Sequence, residues 1–177
     1  MLGLGTSINK SSSSESAFIA GRSSSFTGLL DESYGGSASA AYSVRRLSSS
    51  YSGKALQIRR VSDNVEVDVS FDNNNEISLD SAVTNVTEET TGSSTSIITG
   101  AVNLGEFVAN ASYTDADSLG STDSAKVQCW YDQSGSSNDA TQNTAGSQPT
   151  IVSSGALETE NGKPIIRNNG SNTMAMP

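Results

Sequence analysis

The chain has no histidine and a single cysteine, Cys129, among its 177 residues. Without an imidazole it has no His-based acid–base pair, no Ser-His or Cys-His nucleophile arrangement and no histidine-containing zinc site. One thiol makes no intrachain disulfide. Among metals this leaves only oxygen-ligated cations such as Ca²⁺, and no cofactor is expected. Positive charge is scarce as well: ten Lys and Arg stand against nineteen Asp and Glu, giving a net charge of −9 with no Lys/Arg-rich run. Phosphate backbones are repelled by such a chain, so nucleic acid is not an expected partner. Long apolar runs are missing too. No stretch approaches the ~20 residues of a membrane span, and the opening "MLGLGTSINK" lacks the charged and apolar regions of a secretory signal. The expectation is a soluble protein that stays in the cell that makes it or leaves by a route other than secretion.

What is abundant is Ser, Thr, Asn and Gly. Apolar residues reach 34% and charged ones 16%, so the core is modest and uncharged groups carry the polarity. Ser and Asn compete for backbone hydrogen bonds and Gly costs entropy inside a helix, which favours strands and turns. The length fits one domain, or one compact domain plus an arm. Residues 1–36, with "SSSSES" and "RSSSF", hold scattered apolar residues (Leu2, Leu4, Ile8, Phe18, Ile19, Phe26, Leu29, Leu30) without a period. They read either as a tail or as an arm that docks on a neighbouring subunit. Residues 37–177 read as a β-rich domain.

Within that domain, "SASAAYSVRRLSSSY" places Ala40, Ala41, Val44, Leu47 and Tyr51 at steps of three and four. This predicts a short helix over 37–51, capped by Ser37 or Ser39. "KALQIRRVSDNVEVDVSF" is two alternating runs around Ser62-Asp63-Asn64, a β-hairpin. With Val61 and Val65 flanking the turn, Arg60 faces Glu66 and Ile58 faces Asp68, while Val65, Val67, Val69 and Phe71 share the core face. Further along, Asp72–Asn75 reads as a turn and "EISLDSAVTNV" as a strand. Residues 87–96 and 112–124 read as polar loops, and "NLGEFVA" as a short helix or strand. "AKVQCWYD" alternates Val127, Cys129 and Tyr131 against Gln128, Trp130 and Asp132, a strand ending near Ser134-Gly135. Asn161-Gly162 marks a second hairpin. Many short strands, turns and one short helix predict an irregular, β-sandwich-like domain.

Chemistry-bearing residues crowd into "VQCWYDQSGSSNDATQ". Cys129 has no histidine to activate it, and on a strand face shared with Val127 it reads as a buried, inert thiol. Trp130 and Tyr131 are the candidate glycan-stacking pair, although a core Trp beside a turn is the commoner use of an indole. "DQSGSSND" resembles a calcium loop but fails the EF-hand spacing: Gly135 stands fourth rather than sixth, and the twelfth position is Asn143 rather than Glu. Asp132 therefore reads as a turn-former accepting N–H bonds in its own loop. Arg45, Arg46, Arg59 and Arg60 read either as an acid-binding pocket or as structural partners of carboxylates such as Glu66 and Asp68. Glu158 and Glu160 give only a weak glycosidase-like carboxylate pair.

The pattern "WYDQSGSSNDATQ…QPTIV…ENGKPIIR" resembles a module recurring in virion structural proteins of tailed bacteriophages and in bacterial surface proteins. The same pattern opens the catalytic domain of fungal arabinofuranosidase B, a concanavalin-like (LamG-type) β-sandwich. "AAYSVRRLSSSYSGKALQIRRVSDNVEVDVSFD" is similar to the module's Tyr-x-x-Arg helix and Arg-Arg hairpin, and "EISLDSAVTNV" and "LGEFV" resemble its phage versions. The resemblance spans about Ala38 to Arg167. It implies the front part of a jelly-roll-type module; the enzyme's catalytic carboxylates fall beyond this stretch, so no position here inherits them. It implies a non-enzymatic virion component, a tail-fibre, baseplate or capsid-decoration subunit, assembled in the host cytoplasm and docked through its N-terminal arm. Its expected partners are other virion subunits, further copies of itself (a trimer, as in fibres) and a host surface glycan. Arg45, Arg59, Arg60, Asp68 and Asp132 are then structural. The alternatives are a carbohydrate-binding module and an inactive glycosidase fragment.

Overall fold

The computed structural model describes residues 26–32, 35–85, 101–109 and 123–177. The expected loop at 87–96, most of that at 112–124, and the arm residues Leu2, Leu4, Ile8, Phe18 and Ile19 lie outside them. The described chain is mainly β. A curled antiparallel seven-stranded sheet, a half-barrel, is joined by a two-stranded sheet and one short α-helix. The strands are β1 (Leu56–Arg60), β2 (Glu66–Val69), β3 (Val83–Asn85), β4 (Ala125–Trp130), β5 (Ala140–Thr141), β6 (Thr150–Ser153), β7 (Ala156–Leu157), β8 (Thr159–Glu160) and β9 (Lys163–Pro164), with α1 at Leu104–Ala109. The order across the main sheet is β3-β2-β1-β4-β6-β7. β5 also pairs with β4, while β8 and β9 form the small sheet.

The hairpin β1–β2 forms where the alternation predicts it, but one residue out of the expected register. Arg59, not Arg60, faces Glu66, and Ile58 faces Val67. The turn is four residues long rather than three. The Arg60 and Val65 backbones close it, and Asn64 adopts φ 61°, a left-handed conformation that Asn tolerates better than most residues. The slip puts Leu56, Ile58 and Arg60 on one face with Val69, Val67 and Val65. Val67 and Val69 are fully buried there, as alternation required.

In the centre of the sheet, β4 pairs with β1 through a bulge. Ile58 faces Val127 and Gln57 faces Cys129, so Gln128 is the additional residue. A bulge reverses which side the following residues take. Val127 faces the core, Cys129 turns to the opposite side with Gln57, and Trp130 returns to pack against the core opposite Leu56. The expected common face for Val127 and Cys129 is thus overturned by one inserted residue, although Cys129 is still buried. The bulge also adds local twist and bend, consistent with the curl of the sheet.

Two more expectations change. Among the described residues of "EISLDSAVTNV" only Val83–Asn85 is strand, because Ser78–Ser81 turns: Ser81 Oγ accepts the Ser78 N–H and the Ser81 N–H reaches Ser78 O. The helix predicted over 37–51 is absent; that segment is extended and irregular apart from the 3₁₀ turn Gly35–Ser37 at its start, an isolated bridge from Arg45 to Glu76 and a turn closed by the Tyr51 N–H on Ser48 O. The α-helix that does form, α1, has a local cause. Asn103 Oδ1 accepts the Glu106 N–H at 2.9 Å, and Glu106 reaches back to the Val102 N–H at 2.8 Å, a reciprocal cap. Leu104, Phe107 and Val108 then join Leu56, Ile58, Val67, Val69, Val127 and Ile151 in one apolar cluster. The two tight hairpins β6–β7 and β8–β9 turn on Ser154-Gly155 and Asn161-Gly162. Both residues of each turn have positive φ, as a two-residue turn between twisted strands requires. No helix among the described residues is long and apolar enough to cross a membrane.

Candidate functional site

Beyond β4 the chain turns sharply at Asp132–Asp139, and here a dense set of polar side chains is organised. Asp132 is buried. Its Oδ1 accepts the N–H groups of Ala41 (2.7 Å) and Ser134 (2.8 Å), and its Oδ2 accepts Ser134 Oγ (2.7 Å) and the Asn138 N–H (3.1 Å). Burial pushes its pKa up, but the hydrogen bonds from Ser134, Ala41 and Asn138 outweigh burial and hold the carboxyl below its usual value. The loop-organising role expected from the sequence is present. The bond to Ala41 adds a long-range one, tying the turn to the segment read as a helix.

Gln133 strengthens that tie. Its side chain is 3% exposed. Oε1 accepts the Leu47 N–H at 2.7 Å, Nε2 donates to Ser43 O and Arg45 O at 3.0 Å each, and the backbone N–H donates to Ala41 O. Asn138 Nδ2 donates to Ser39 O, and the Tyr42 hydroxyl donates to Asn138 O. Residues 39–47 are therefore a strap whose backbone bonds run to a turn some 90 residues away. An α-helix would have to give up those partners, which is why the local apolar spacing misleads.

A second carboxylate fastens the strap at its other end. Asp31 accepts the Gly28 N–H, Ser48 Oγ and the Ser49 N–H. The backbone bonds from Gly28 and Ser49 lower its pKa to about 2. Gly28 lies so close to the strap that a Cβ there would sit 2.1 Å from Leu47 O; only glycine fits. The Arg46 guanidinium lies 5.4 Å from the Phe26 ring centroid. Packed structure thus begins ahead of residue 37: of the arm's described apolar residues, Phe26 lies against Arg46 of the strap, the Leu30 N–H donates to Leu47 O, and Leu29 is exposed.

The candidate residues of the sequence scatter. Trp130 packs against the core with its ring 5.9 Å from that of Tyr42. Tyr131 donates to Asp68 Oδ1 at 2.7 Å. Burial first, then the bond to Asp68, raises the Tyr131 pKa. Burial and the nearby Asp139 and Asp68 carboxylates push the Cys129 thiol up to about 12, so the thiolate nucleophile is scarce at neutral pH. The four arginines do not converge on one acid-binding pocket. Arg60 is buried over the Phe107 ring and pairs with Asp63 at 2.6 Å. Arg59, on the opposite face, donates to Gln148 Oε1, Asn64 Oδ1 and Ala145 O. Arg46 donates to Ser48 O, Ser49 O and Asn75 Oδ1, and Arg45 is exposed. Asp68 takes Tyr131 rather than an arginine. Among the described residues, no group of three or more Asp, Glu or Cys lies close enough to hold a metal ion.

Where the strap meets the turn, a cleft of about 300 Å³ opens. Its aromatic wall is Tyr51, whose hydroxyl donates to Lys54 O at 2.6 Å and whose ring meets Phe71 edge-on. Sequence reading passed over Tyr51, Gln133 and Asp31. Only Asp31, directly after the apolar pair Leu29-Leu30 and three residues after Gly28, carried a local capping signal. A Gln beside Ser-Gly reads as an exposed turn. No family model, curated protein or solved structure matches this chain.

Proposed function

We propose that the chain is a non-enzymatic structural protein of a tailed-phage virion: a tail-fibre, baseplate or capsid-decoration subunit assembled in the host cytoplasm. In this reading residues 1–36 dock on other virion subunits. The curled sheet is the front part of a concanavalin-like, jelly-roll-type unit that supports or displays a receptor-binding surface, in a homo-oligomer such as a trimer. The observation that carries it is the use made of the Cys129–Asp139 stretch. Its thiol is buried, and its Asp, Gln and Asn side chains hold backbone groups of the strap. Residues that look like chemistry in the sequence are engaged in architecture. The strap in turn gives the N-terminal segment a firm point of departure at Asp31 and Phe26, as a docking arm needs.

The test is proteomics and immunogold labelling of purified tailed-phage particles from the host that carries the gene. The chain should be present at a fixed copy number per particle, with labels at one position. Its absence from particles overturns the reading. A second measurement addresses the arm: amide exchange over residues 1–36 should slow on incorporation into the particle, and equal protection in the free and assembled protein refutes docking through that segment.

A further inference from the structure

The cleft between strap and turn is lined by hydroxyls whose protons are engaged within the protein. Ser48 Oγ donates to Asp31 Oδ1 at 2.9 Å, so in the 2.9 Å contact between Ser48 Oγ and Ser50 Oγ the proton comes from Ser50. Ser50 Oγ is left with lone pairs only. Across the cleft Ser134 Oγ donates to Asp132 Oδ2, and the Tyr51 hydroxyl donates to Lys54 O. The hydroxyls of Ser50 and Ser134 therefore meet a visitor as acceptors, Ser134 Oγ with one lone pair already taken by the Ser136 N–H at 3.2 Å, a polarity fixed by the carboxylates behind them. Neither carboxylate lines the cleft itself, and no lining residue is charged. Asp132 accepts three hydrogen bonds from its own loop and one from Ala41, and Asp31 accepts from Gly28, Ser48 and Ser49, so both charges stay behind the cleft with their oxygens engaged.

We infer that this cleft, with the ring of Tyr51 as its aromatic wall and Ser50 and Ser134 as acceptors, binds a neutral polyol the size of one sugar ring. Donor-rich hydroxyls match the acceptors, and the apolar C–H face of a pyranose matches the Tyr51 ring. The volume lies at the small end of the range for small-molecule sites. The net charge of −9 disfavours acidic sugars. Tyr51 and Gln133 are each held by bonds within the protein, so little side-chain freedom is lost on binding. The assignment rests on the display role proposed above, which calls for a host-surface ligand, and it moves that contact from Trp130 and Tyr131 to Tyr51.

The experiment is chemical-shift mapping of the full chain with the methyl glycosides of glucose, galactose and mannose, with methyl glucuronoside and spermidine as charged comparisons. At least one neutral glycoside should shift Ser50, Tyr51, Ser134 and Gly135 saturably, while the glucuronoside should not. Tyr51→Ala should weaken that binding about tenfold or more, and Tyr51→Phe should leave it unchanged. Gly36→Trp guards against a folding artefact. A Cβ there meets nothing within 4 Å and the backbone is outside the left-handed region, so the indole fills the opening while the melting temperature stays as it was. Overturning results are no shift with any neutral glycoside, shifts confined to Trp130 and Tyr131, shifts at the cleft with spermidine alone, or binding unchanged by both Tyr51→Ala and Gly36→Trp. Particles that contain a sugar-silent chain sink this assignment and leave the virion reading intact. Sugar binding by a chain absent from particles does the reverse.

Discussion

Replacing Gln133 by Met keeps the length and apolar stem of the side chain but removes its amide. Three strap groups then lose their partner at once: the Leu47 N–H, Ser43 O and Arg45 O. Leaving a buried donor or acceptor unmade costs ~1–3 kcal/mol. Ser43 is partly exposed and Arg45 exposed, so water can reach their carbonyls. The lower end of that range applies, giving ~3 kcal/mol for the three groups together. That is a large share of a domain stability of ~5–15 kcal/mol. For a chain of this size it corresponds to a fall in melting temperature of roughly 6–12 °C. Urea unfolding followed by Trp130 fluorescence measures the loss, and amide exchange at Leu47 locates it. Gln133→Glu sharpens the test: it keeps an acceptor for Leu47 but sets a carboxylate against two carbonyls, so it should be no more stable than the Met variant at neutral pH. A loss under ~1 kcal/mol, with Leu47 exchange unchanged, would refute the view that Gln133 holds the strap.

Acid should loosen the same junction. The carboxyls of Asp31 and Asp132 both titrate below their usual value in the folded protein, so the unfolded chain binds more protons than the folded one in that window. Their contribution is complete above the ordinary carboxylate pKa of about 3.9 and is lost as pH falls towards 2. A melting-temperature profile should be flat from pH 7 to about 5 and fall below it, and Asp132→Asn should shrink that acid limb; an unchanged limb contradicts the mechanism. With its pKa pushed up to about 12, Cys129 should react with a thiol reagent at pH 8 only as fast as the protein opens, and reaction at the denatured rate in the native protein would be the contrary result. Arg60→Lys should destabilise by several kcal/mol, because an ammonium cannot bond Asp63 twice, reach Phe107 O and lie flat on the Phe107 ring together. A near-neutral change in denaturant unfolding would show that the buried guanidinium is dispensable.

How much of this was readable from the sequence depends on how far each partner lies along the chain. The β1–β2 and β8–β9 hairpins, the Asp72–Asn75 turn and the core side of β2 were legible because turn chemistry and alternation are local. Their one error, the β1–β2 register, came from assigning Ser62-Asp63-Asn64 a three-residue turn. A left-handed Asn64 made it four, and one residue exchanges the faces of a strand. In the same way the alternation of "AKVQCWYD" gave β4 its place but hid the bulge at Gln128, since a bulge leaves the spacing of apolar letters intact.

The strap shows the opposite limit. Its apolar residues stand at helical steps, and only its serines, which compete for backbone hydrogen bonds, weigh locally against a helix. What decides its conformation is the competition for its backbone groups. A short helix of marginal propensity offers each N–H a partner four residues back. The turn offers the Ala41 N–H a carboxylate 91 residues ahead and the Leu47 N–H a pinned amide 86 residues ahead. Hydrogen bonds to a charged acceptor are worth more than those between neutral groups, at ~1.5–3 kcal/mol against ~1. Asp132 is already held in place by its own loop, so little entropy is lost when the strap arrives. The extended form therefore wins wherever the Asp-Gln pair is presented correctly. The cleft follows from the same cause, because only an extended strap brings Ser50 and Tyr51 up to Ser134. A helical 37–51 would have turned its polar face to solvent and left no cleft, so the candidate site is a product of the long-range pairing and not of any motif within the strap.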